Sequence, residues 1–471
     1  MISWIKKNFW NVLIWGMILF FLILYISLIF NHNIWTDEAF TLQLIQNDLK
    51  GIVEGTANDV HPPLYYFWSK IFYSFFGLNL QMQKIAAIIP MVAVLSYLAV
   101  VVRKKFGDTV SFLSILFLCC IPCSMEFAVQ VRMYSMALFF VTVCGVSAYL
   151  VYTENKVKDW IFFAICAVGA AYTHYFAFVS VLFIIGFLFL AILFNKRNLW
   201  KRWCISVVCM ILMYLPWMKN FISQVTRVRE SYWIEEIKPE TVWNYFIWTF
   251  DLELVPGVVY GFLLILIGIG IYNLILIVRK KDISDKVALL AMLIPALTTV
   301  AGIVISLTKS PIYRDQYVFP AIALLALFFG ITLTKADKKI IIPICAFLLF
   351  VGAVQYKECY RQEYKSTYVP QTDEFFKENL TDEDYVVYNW ETFDFIYAFY
   401  FPQDRLVYLE NFDFSQDFNT VYFLNTQWQP QIEQAVLDAN GLSMDWIGHY
   451  GIEHNEFELY MIYRNEYTEE E

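Results

Sequence analysis

Apolar residues along this chain gather in long unbroken runs separated by short polar stretches. Trp10 to Phe30 is 21 residues without a charge, enough to cross the roughly 30 Å of hydrocarbon in a bilayer. Ten further runs follow at about 84–102, 109–122, 133–152, 160–173, 176–194, 203–218, 257–278, 286–306, 317–334 and 340–354, which makes eleven predicted spans. The first is longer than a signal-peptide core and lacks a small-residue cleavage site, so it reads as an uncleaved helix. One apolar stretch is left over, Pro62 to Gly77. It is short, opens with Pro62-Pro63 and carries Lys70, so it is predicted as an interfacial or re-entrant helix.

Basic residues test that count. With a cytoplasmic N-terminus, alternation puts segments 1–9, 103–108, 153–159, 195–202, 279–285 and 335–339 inside. With their immediate neighbours they hold 18 of the 34 Lys and Arg, among them Arg103-Lys104-Lys105, Lys196-Arg197 and Arg279-Lys280-Lys281. Cytoplasmic loops are enriched in these residues, so the pattern fits at every loop. Treating 62–77 as a span would invert all later loops.

After Val354 the composition changes sharply. Residues 355–471 hold 24 of the 43 Asp and Glu but six Lys and Arg. Tyr385 to Tyr388 and Thr420 to Leu424 read as buried strands and Glu433 to Ala439 as a helix, so a small extracytoplasmic α/β domain is predicted. The expected architecture is an all-α polytopic membrane domain, 1–354, with a long first external loop, 31–83, followed by a soluble domain, 355–471. Over the 471 residues, 59% are hydrophobic and 16% charged, against about 25% charged in an ordinary soluble protein. That excludes a soluble enzyme, and the net charge of −9 argues against a nucleic-acid partner. Eight of the nine cysteines lie in or beside apolar runs, where a thiol behaves as a small hydrophobe; Cys359 sits in a polar segment.

Candidate chemistry concentrates in the first external loop: Asp37-Glu38 just after span one, then Asp59, then His61-Pro62-Pro63. Paired acids at a helix start also cap it and suit its dipole. Neighbours on a helix point about 100° apart, so the two cannot serve as equivalent acids on one face. His61 is held stiffly by the prolines, which suits a fixed contact to a phosphate or a metal and equally suits a helix start. Arg132 and Arg314 stand at outer ends of spans, where an arginine snorkels or binds an anion. Glu126 and His174-Tyr175 stand at outer boundaries too, and an aromatic belt accounts for Tyr175 alone.

Asp37-Glu38, His61-Pro62-Pro63-Leu64-Tyr65-Tyr66, Phe76-Gly77, Glu126 to Tyr134 with Arg132, Tyr172-Thr173-His174-Tyr175, Leu215-Pro216-Trp217 and Tyr317 to Pro320 together resemble a membrane glycosyltransferase superfamily. It contains the dolichyl-phosphate-mannose–protein mannosyltransferases and the bacterial aminoarabinose transferases. The similarity covers about residues 10–330. Many relatives have Lys where this chain has His61, and Arg where it has Gln316, with Arg314 two positions earlier.

The resemblance implies a GT-C-like fold and transfer of a sugar, with inversion, from a polyprenyl-phosphate donor to an acceptor glycan, lipid or protein at the outer face of a plasma membrane. It also implies Asp37 as the base, Glu38 orienting the acceptor, the base or a divalent cation, and His61, Arg132 and Arg314 holding phosphate. Asp59, His174 and Tyr175 stand beside them as candidate substrate contacts, and Glu38 and His61 as the candidates for a metal. A lipid phosphate leaves as an anion, so it needs cationic stabilisation more than a strong acid. A transporter or flippase of lipid-linked saccharides would carry charges at the midplane of its spans, and these spans are nearly free of them. A polysaccharide polymerase or ligase would also take a lipid-linked sugar, usually without paired acids after span one.

Overall fold

The computed structural model describes residues 8–31, 33–230, 234, 236–280, 282–364, 368–452 and 455–465. Lys6, Lys7, Lys281 and Glu469 to Glu471, which contribute to the charge pattern, lie outside the described residues.

All eleven apolar runs fold as helices. Nine of these helices, among the described residues, are long and apolar enough to cross a membrane; the chain is a multi-pass membrane protein. The two exceptions are Asp108–Cys120 with 13 residues and Val157–Ala171 with 15. At a rise of about 1.5 Å per residue they reach only some 20–22 Å, short of the hydrocarbon thickness. The eleven predicted runs therefore comprise nine helices of full span length and two shorter ones, each ended by a Pro or a polar turn. Ile121 leaves the helical region, followed by Pro122, and Thr173-His174 interrupts the second pair.

Pro62 to Gly77 contains the helix Leu64–Phe76, 13 residues long. Pro63 enters it and Gly77 leaves it at φ 65°, a left-handed conformation that glycine adopts without a Cβ clash. One face buries Tyr65, Tyr66 and Ser69 while Ile71, Phe75 and Phe76 are exposed, the division expected of an interfacial helix.

The chain divides into two compact units, residues 1–29 with 47–359, and residues 30–46 with 360–471. In the first, the segment Asp315–Leu333 forms the centre: 94% of its apolar window is buried, against 22% for Phe9–Ser27. It packs on Asp108–Cys120, Tyr134–Glu154, Val258–Lys280 and Ile283–Thr308. Gly330 permits the closest approach, since a Cβ there would sit 2.7 Å from the Val110 carbonyl oxygen and would also strike Ser114 Oγ. Small residues at such contacts let membrane helices meet backbone to backbone. Hydroxyls and amides cross between helices: Ser180 Oγ meets Thr298 Oγ1 at 2.9 Å and Tyr313 Oη donates to Thr299 Oγ1 at 3.0 Å. Lys335 pairs with Asp282 at 3.3 Å and with the buried Asp285.

The last apolar run is the middle of a helix, Lys338–Tyr364, that passes the composition change at 355 without a break. Cys359, expected in a polar setting, is buried on that helix.

The second unit holds a five-stranded sheet in the order β2-β1-β3-β5-β4, with β1 Tyr385–Tyr388, β2 Leu406–Tyr408, β3 Val421–Asn425, β4 Leu442–Ile452 and β5 Asn455–Arg464. The strands β2, β1 and β3 run parallel, and β5 runs antiparallel to β3 and β4. All five residues of β3 are buried, the unbroken apolar run expected of a strand covered on both faces. Val387, Phe423, Leu437 and Ile462 centre the core. The small α/β fold predicted for the tail is present, with the second expected strand shifted by one residue. The helix Thr36–Leu44 packs within this unit, with Phe40 edge-on to Phe395 at 5.7 Å. Phe30 N–H donates to Tyr364 Oη at 3.0 Å. Residues 30–46, expected with the membrane domain, thus cluster with the C-terminal part of the chain.

Candidate active site

In the first unit, residues far apart in sequence converge where helices end. Pro62-Pro63 stiffens the approach to helix Leu64–Phe76, and Leu64 N–H donates to the Tyr172 carbonyl at 3.0 Å. That bond ties the His61 segment to the turn Tyr172-Thr173-His174. His174 is the N-cap of Tyr175–Asn195, and its Nδ1 accepts the Phe176 N–H at 3.1 Å. With Nδ1 accepting, the neutral ring carries its proton on Nε2 and can offer it to a ligand.

His61 Nδ1 meets Asp59 Oδ2 at 2.8 Å. The His61 and His174 rings lie 6.0 Å apart, and Tyr134 and Tyr317 stand 5.8 and 5.0 Å from His174. Arg132 is 2% exposed, and its Nη1 donates to Tyr66 Oη at 3.3 Å. Burial pushes the Asp59 carboxyl up, but the neighbouring His61 and Arg132 outweigh it and hold the group below the usual carboxylate range. His174 moves the other way: burial first, then the charges of His61 and Arg132, hold it well below the usual imidazole range. The cluster therefore combines an ionised Asp59, a permanent cation at Arg132 and a neutral imidazole.

A cavity of about 490 Å³ adjoins this cluster. Val179, Leu182, Val225, Val228 and Ile305 make its apolar wall, and His61, His174, Tyr175, Gln224, Lys309 and Ser310 line its polar part. Gln224 organises the boundary. Its Nε2 donates to the Thr56 and Asp59 carbonyls at 2.7 and 3.0 Å, and its Oε1 accepts from Tyr175 Oη. Trp217 Nε1 in turn donates to Tyr175 Oη at 3.1 Å. Arg227 also donates to the Asp59 carbonyl.

Asp59, His61, Arg132, His174 and Tyr175 are thus brought together. Arg314 precedes the short helix Asp315–Ala321 that carries Tyr317, and its charge acts on Asp315 and Tyr245. Asp37 and Glu38 lie in the other unit, in the first turn of Thr36–Leu44. Glu38 is buried and its Oε2 accepts the Trp35 N–H at 2.9 Å, the capping arrangement; Asp37 is exposed. Among the described residues no three His, Cys, Asp or Glu side chains gather as metal ligands. Sequence reasoning missed Gln224, Arg227 and Lys309. A Gln or Lys in a helical run reads as solvent-facing until its distant partner is known.

The pH dependence of stability follows from His174. Unfolded histidine takes up a proton below about pH 6.5, while the folded, buried ring resists doing so. The unfolded state then binds more protons, so stability falls as pH drops below that value. Asp59 adds to the loss at lower pH, as the medium falls through its folded pKa. The thermal midpoint is expected to fall between pH 7 and pH 5, with each pH unit below the unfolded value costing up to about 1.4 kcal/mol from His174. His174→Asn keeps an acceptor for the Phe176 N–H but does not titrate, and should flatten that slope in a thermal-shift series.

Comparison with curated proteins gives no sequence match. Residues 60–218 match the family model described as dolichyl-phosphate-mannose-protein mannosyltransferase. Among solved structures, ArnT from Cupriavidus metallidurans bound to undecaprenyl phosphate is 14% identical, with a TM-score of 0.60 over 97% of this chain and 98% of that one. The apo state of the same protein is 13% identical, with a TM-score of 0.62 over the same shares. In sequence over residues 60–218, and in its GT-C fold over nearly its whole length, the chain resembles the superfamily of the dolichyl-phosphate-mannose–protein mannosyltransferases and aminoarabinose transferases.

Proposed function

We propose that this protein is a membrane glycosyltransferase that moves a sugar, with inversion, from a polyprenyl-phosphate donor to an acceptor at the outer face of a plasma membrane. The observation that carries the reading is the cavity, which is apolar along one wall and ends at His61, His174, Tyr175 and Lys309. An amphiphile with a long hydrocarbon tail and an anionic head matches that division. Isoprenoid carbon would line Val179, Leu182, Val225 and Val228, while the phosphate would meet cations.

In transfer, the acceptor oxygen bonds to the sugar C1 while the bond from C1 to the phosphate oxygen breaks, and the electron pair leaves with the phosphate. Arg132, with its planar fork of donors, suits that growing charge. Asp59 orients His61 through Nδ1, so its Nε2 faces the duty of ligand contact. Neutral His174 offers a donor without adding a second cation beside Arg132. Asp37 takes the acceptor proton in this reading, an assignment resting on its exposure and its position after the first span; Glu38 is occupied with its own helix start. The basic residues of the loops support a cytoplasmic N-terminus.

The test is sugar transfer from radiolabelled polyprenyl-phosphate sugars to cell-envelope acceptors by purified protein. Label entering the acceptor is the expected result. Absence of transfer from every carrier, with lipid scrambling in liposomes instead, would give the case to a flippase.

A further inference from the structure

The C-terminal unit carries a second feature with the marks of a binding site. In its sheet the chain leaves β1 towards β2 on one side, while β3, on the other side of β1, leads away to β4 and β5. In open α/β sheets such a switch point, outside the carboxyl ends of adjacent parallel strands, is where ligands bind. Here those ends carry Asn389-Trp390 after β1 and Thr426-Gln427-Trp428 after β3.

The two loops are fixed from below. Asn389 is fully buried; its Nδ2 donates to Asn425 Oδ1 and the Pro430 carbonyl, both at 2.9 Å, and its Oδ1 accepts the Thr426 N–H at 2.9 Å. Gln431 ties the second loop across itself, donating to the Gln429 carbonyl at 2.8 Å. On this frame stand aromatic rings. Trp390 lies 4.2 Å from Phe393 and 6.4 Å, edge-on, from Trp428, and Trp428 is 74% exposed. With Trp390 and Phe393 beside it, that indole belongs to an aromatic surface and is not a singly exposed residue, the kind of patch that marks an interaction site. A second observation points to a ligand: Thr426 is 1% exposed, yet its hydroxyl has no hydrogen-bond partner among the described residues.

The surrounding chemistry narrows what would bind. Neither 385–404 nor 421–441 contains a lysine or arginine, so the phosphate-bearing ligands common at switch points have no cation to meet. What the loops offer is aromatic faces beside uncharged amides, Gln427 and Gln429, and one carboxylate, Glu391. Pyranose rings present that combination in reverse, with a face of C–H bonds and a rim of hydroxyls. An indole contributes both an apolar face and an N–H donor to such a partner.

We propose that the carboxyl ends of β1 and β3 form a saccharide-binding face, with Trp428 and Trp390 as stacking platforms and the neighbouring amides reading hydroxyls. Helix Thr36–Leu44, bearing Asp37, packs in the same unit against Asp394–Tyr400, the helix that follows Trp390 and Phe393. Taken with the transferase reading, on which this last step rests, the occupant is the acceptor, and the acceptor is a glycan.

The test uses the full-length protein in detergent micelles, probed by saturation-transfer NMR and calorimetry. The ligands are α-mannohexaose, cellohexaose, chitohexaose and β-galactohexaose. At least one should bind, and Trp428→Ala and Trp390→Ala should each weaken that binding tenfold or more. Trp446→Ala, which removes another exposed indole on β4, should leave it unchanged. The proposal fails if none of the four binds wild type, or if affinity is the same in the Trp428 and Trp390 variants, or if Trp446→Ala lowers it equally. Transfer activity is measured in parallel: transfer without saccharide binding removes this face and leaves the transferase, and binding without transfer does the reverse.

Discussion

Asp37→Asn is expected to lower sugar transfer by about 10²–10⁴-fold, the usual contribution of a general base, with donor binding and thermal midpoint little changed. Asp37 is exposed, so the isosteric amide disturbs no packing. Its contribution at the positive end of helix Thr36–Leu44 is worth about 0.3–1 kcal/mol. The two roles therefore separate cleanly. A helix-start acid would give a small loss of stability and normal transfer; a base would give lost transfer and near-normal stability. Glu38→Gln is the internal control. The amide oxygen can still accept the Trp35 N–H that Glu38 Oε2 now accepts, so transfer should survive largely intact. Rates with purified protein and a radiolabelled donor decide between them, and full transfer by Asp37→Asn would move the base elsewhere.

The second large effect is expected at Arg132. Arg132→Gln should cut kcat/KM for the donor by about 10²–10³-fold, the scale of removing one preorganised donor from developing negative charge. It should also destabilise, by about 1–3 kcal/mol, because a buried hydrogen-bonding network loses a charged member. Asp59 then keeps His61 but loses the cation that helps hold its carboxyl below the usual range. Loss of stability on acidification should consequently be shallower in this variant than in wild type, because the folded pKa of Asp59 moves back towards its unfolded value. Arg132→Lys retains the charge but not the fork, and should recover the stability more fully than the rate. If Arg132→Gln changes only the melting temperature, Arg132 is a structural cation and the phosphate is held by others, with His61 and Lys309 the next to test.

The resemblance located much of this site in the sequence for a physical reason. His61-Pro62-Pro63 and Tyr172-Thr173-His174-Tyr175 are turn signals between apolar runs, and such signals are local: proline restricts its neighbour, and a cap must stand at a helix start. Both motifs indeed mark helix starts, at Leu64 and Tyr175. Their meeting could not be read locally. His61 and His174 come within 6.0 Å only because helix Val157–Ala171 ends where Leu64 begins, joined by one backbone hydrogen bond. Gln224 was illegible for the same reason, since its partners at Thr56 and Asp59 belong to a different helix end.

What the sequence by itself determined was set by transfer free energy and chain geometry. Uncharged apolar runs had to become helices in a bilayer, where backbone groups need internal partners. The acidic tail, with its short Val- and Tyr-rich runs, had to fold by itself as strands and helices. Span length, turn position and strand identity follow from neighbours within a few residues, and these survived with the boundary shifts described. Only the tertiary structure showed how the short helices Asp108–Cys120 and Val157–Ala171 pack among the longer ones. It alone grouped residues 30–46 with the C-terminal unit, and it alone assembled Asp59, His61, Arg132 and His174 into one electrostatic cluster. Those outcomes depend on side chains pairing across long separations, where burial sets the cost of each charge and the partner sets its protonation; no local pattern encodes either quantity.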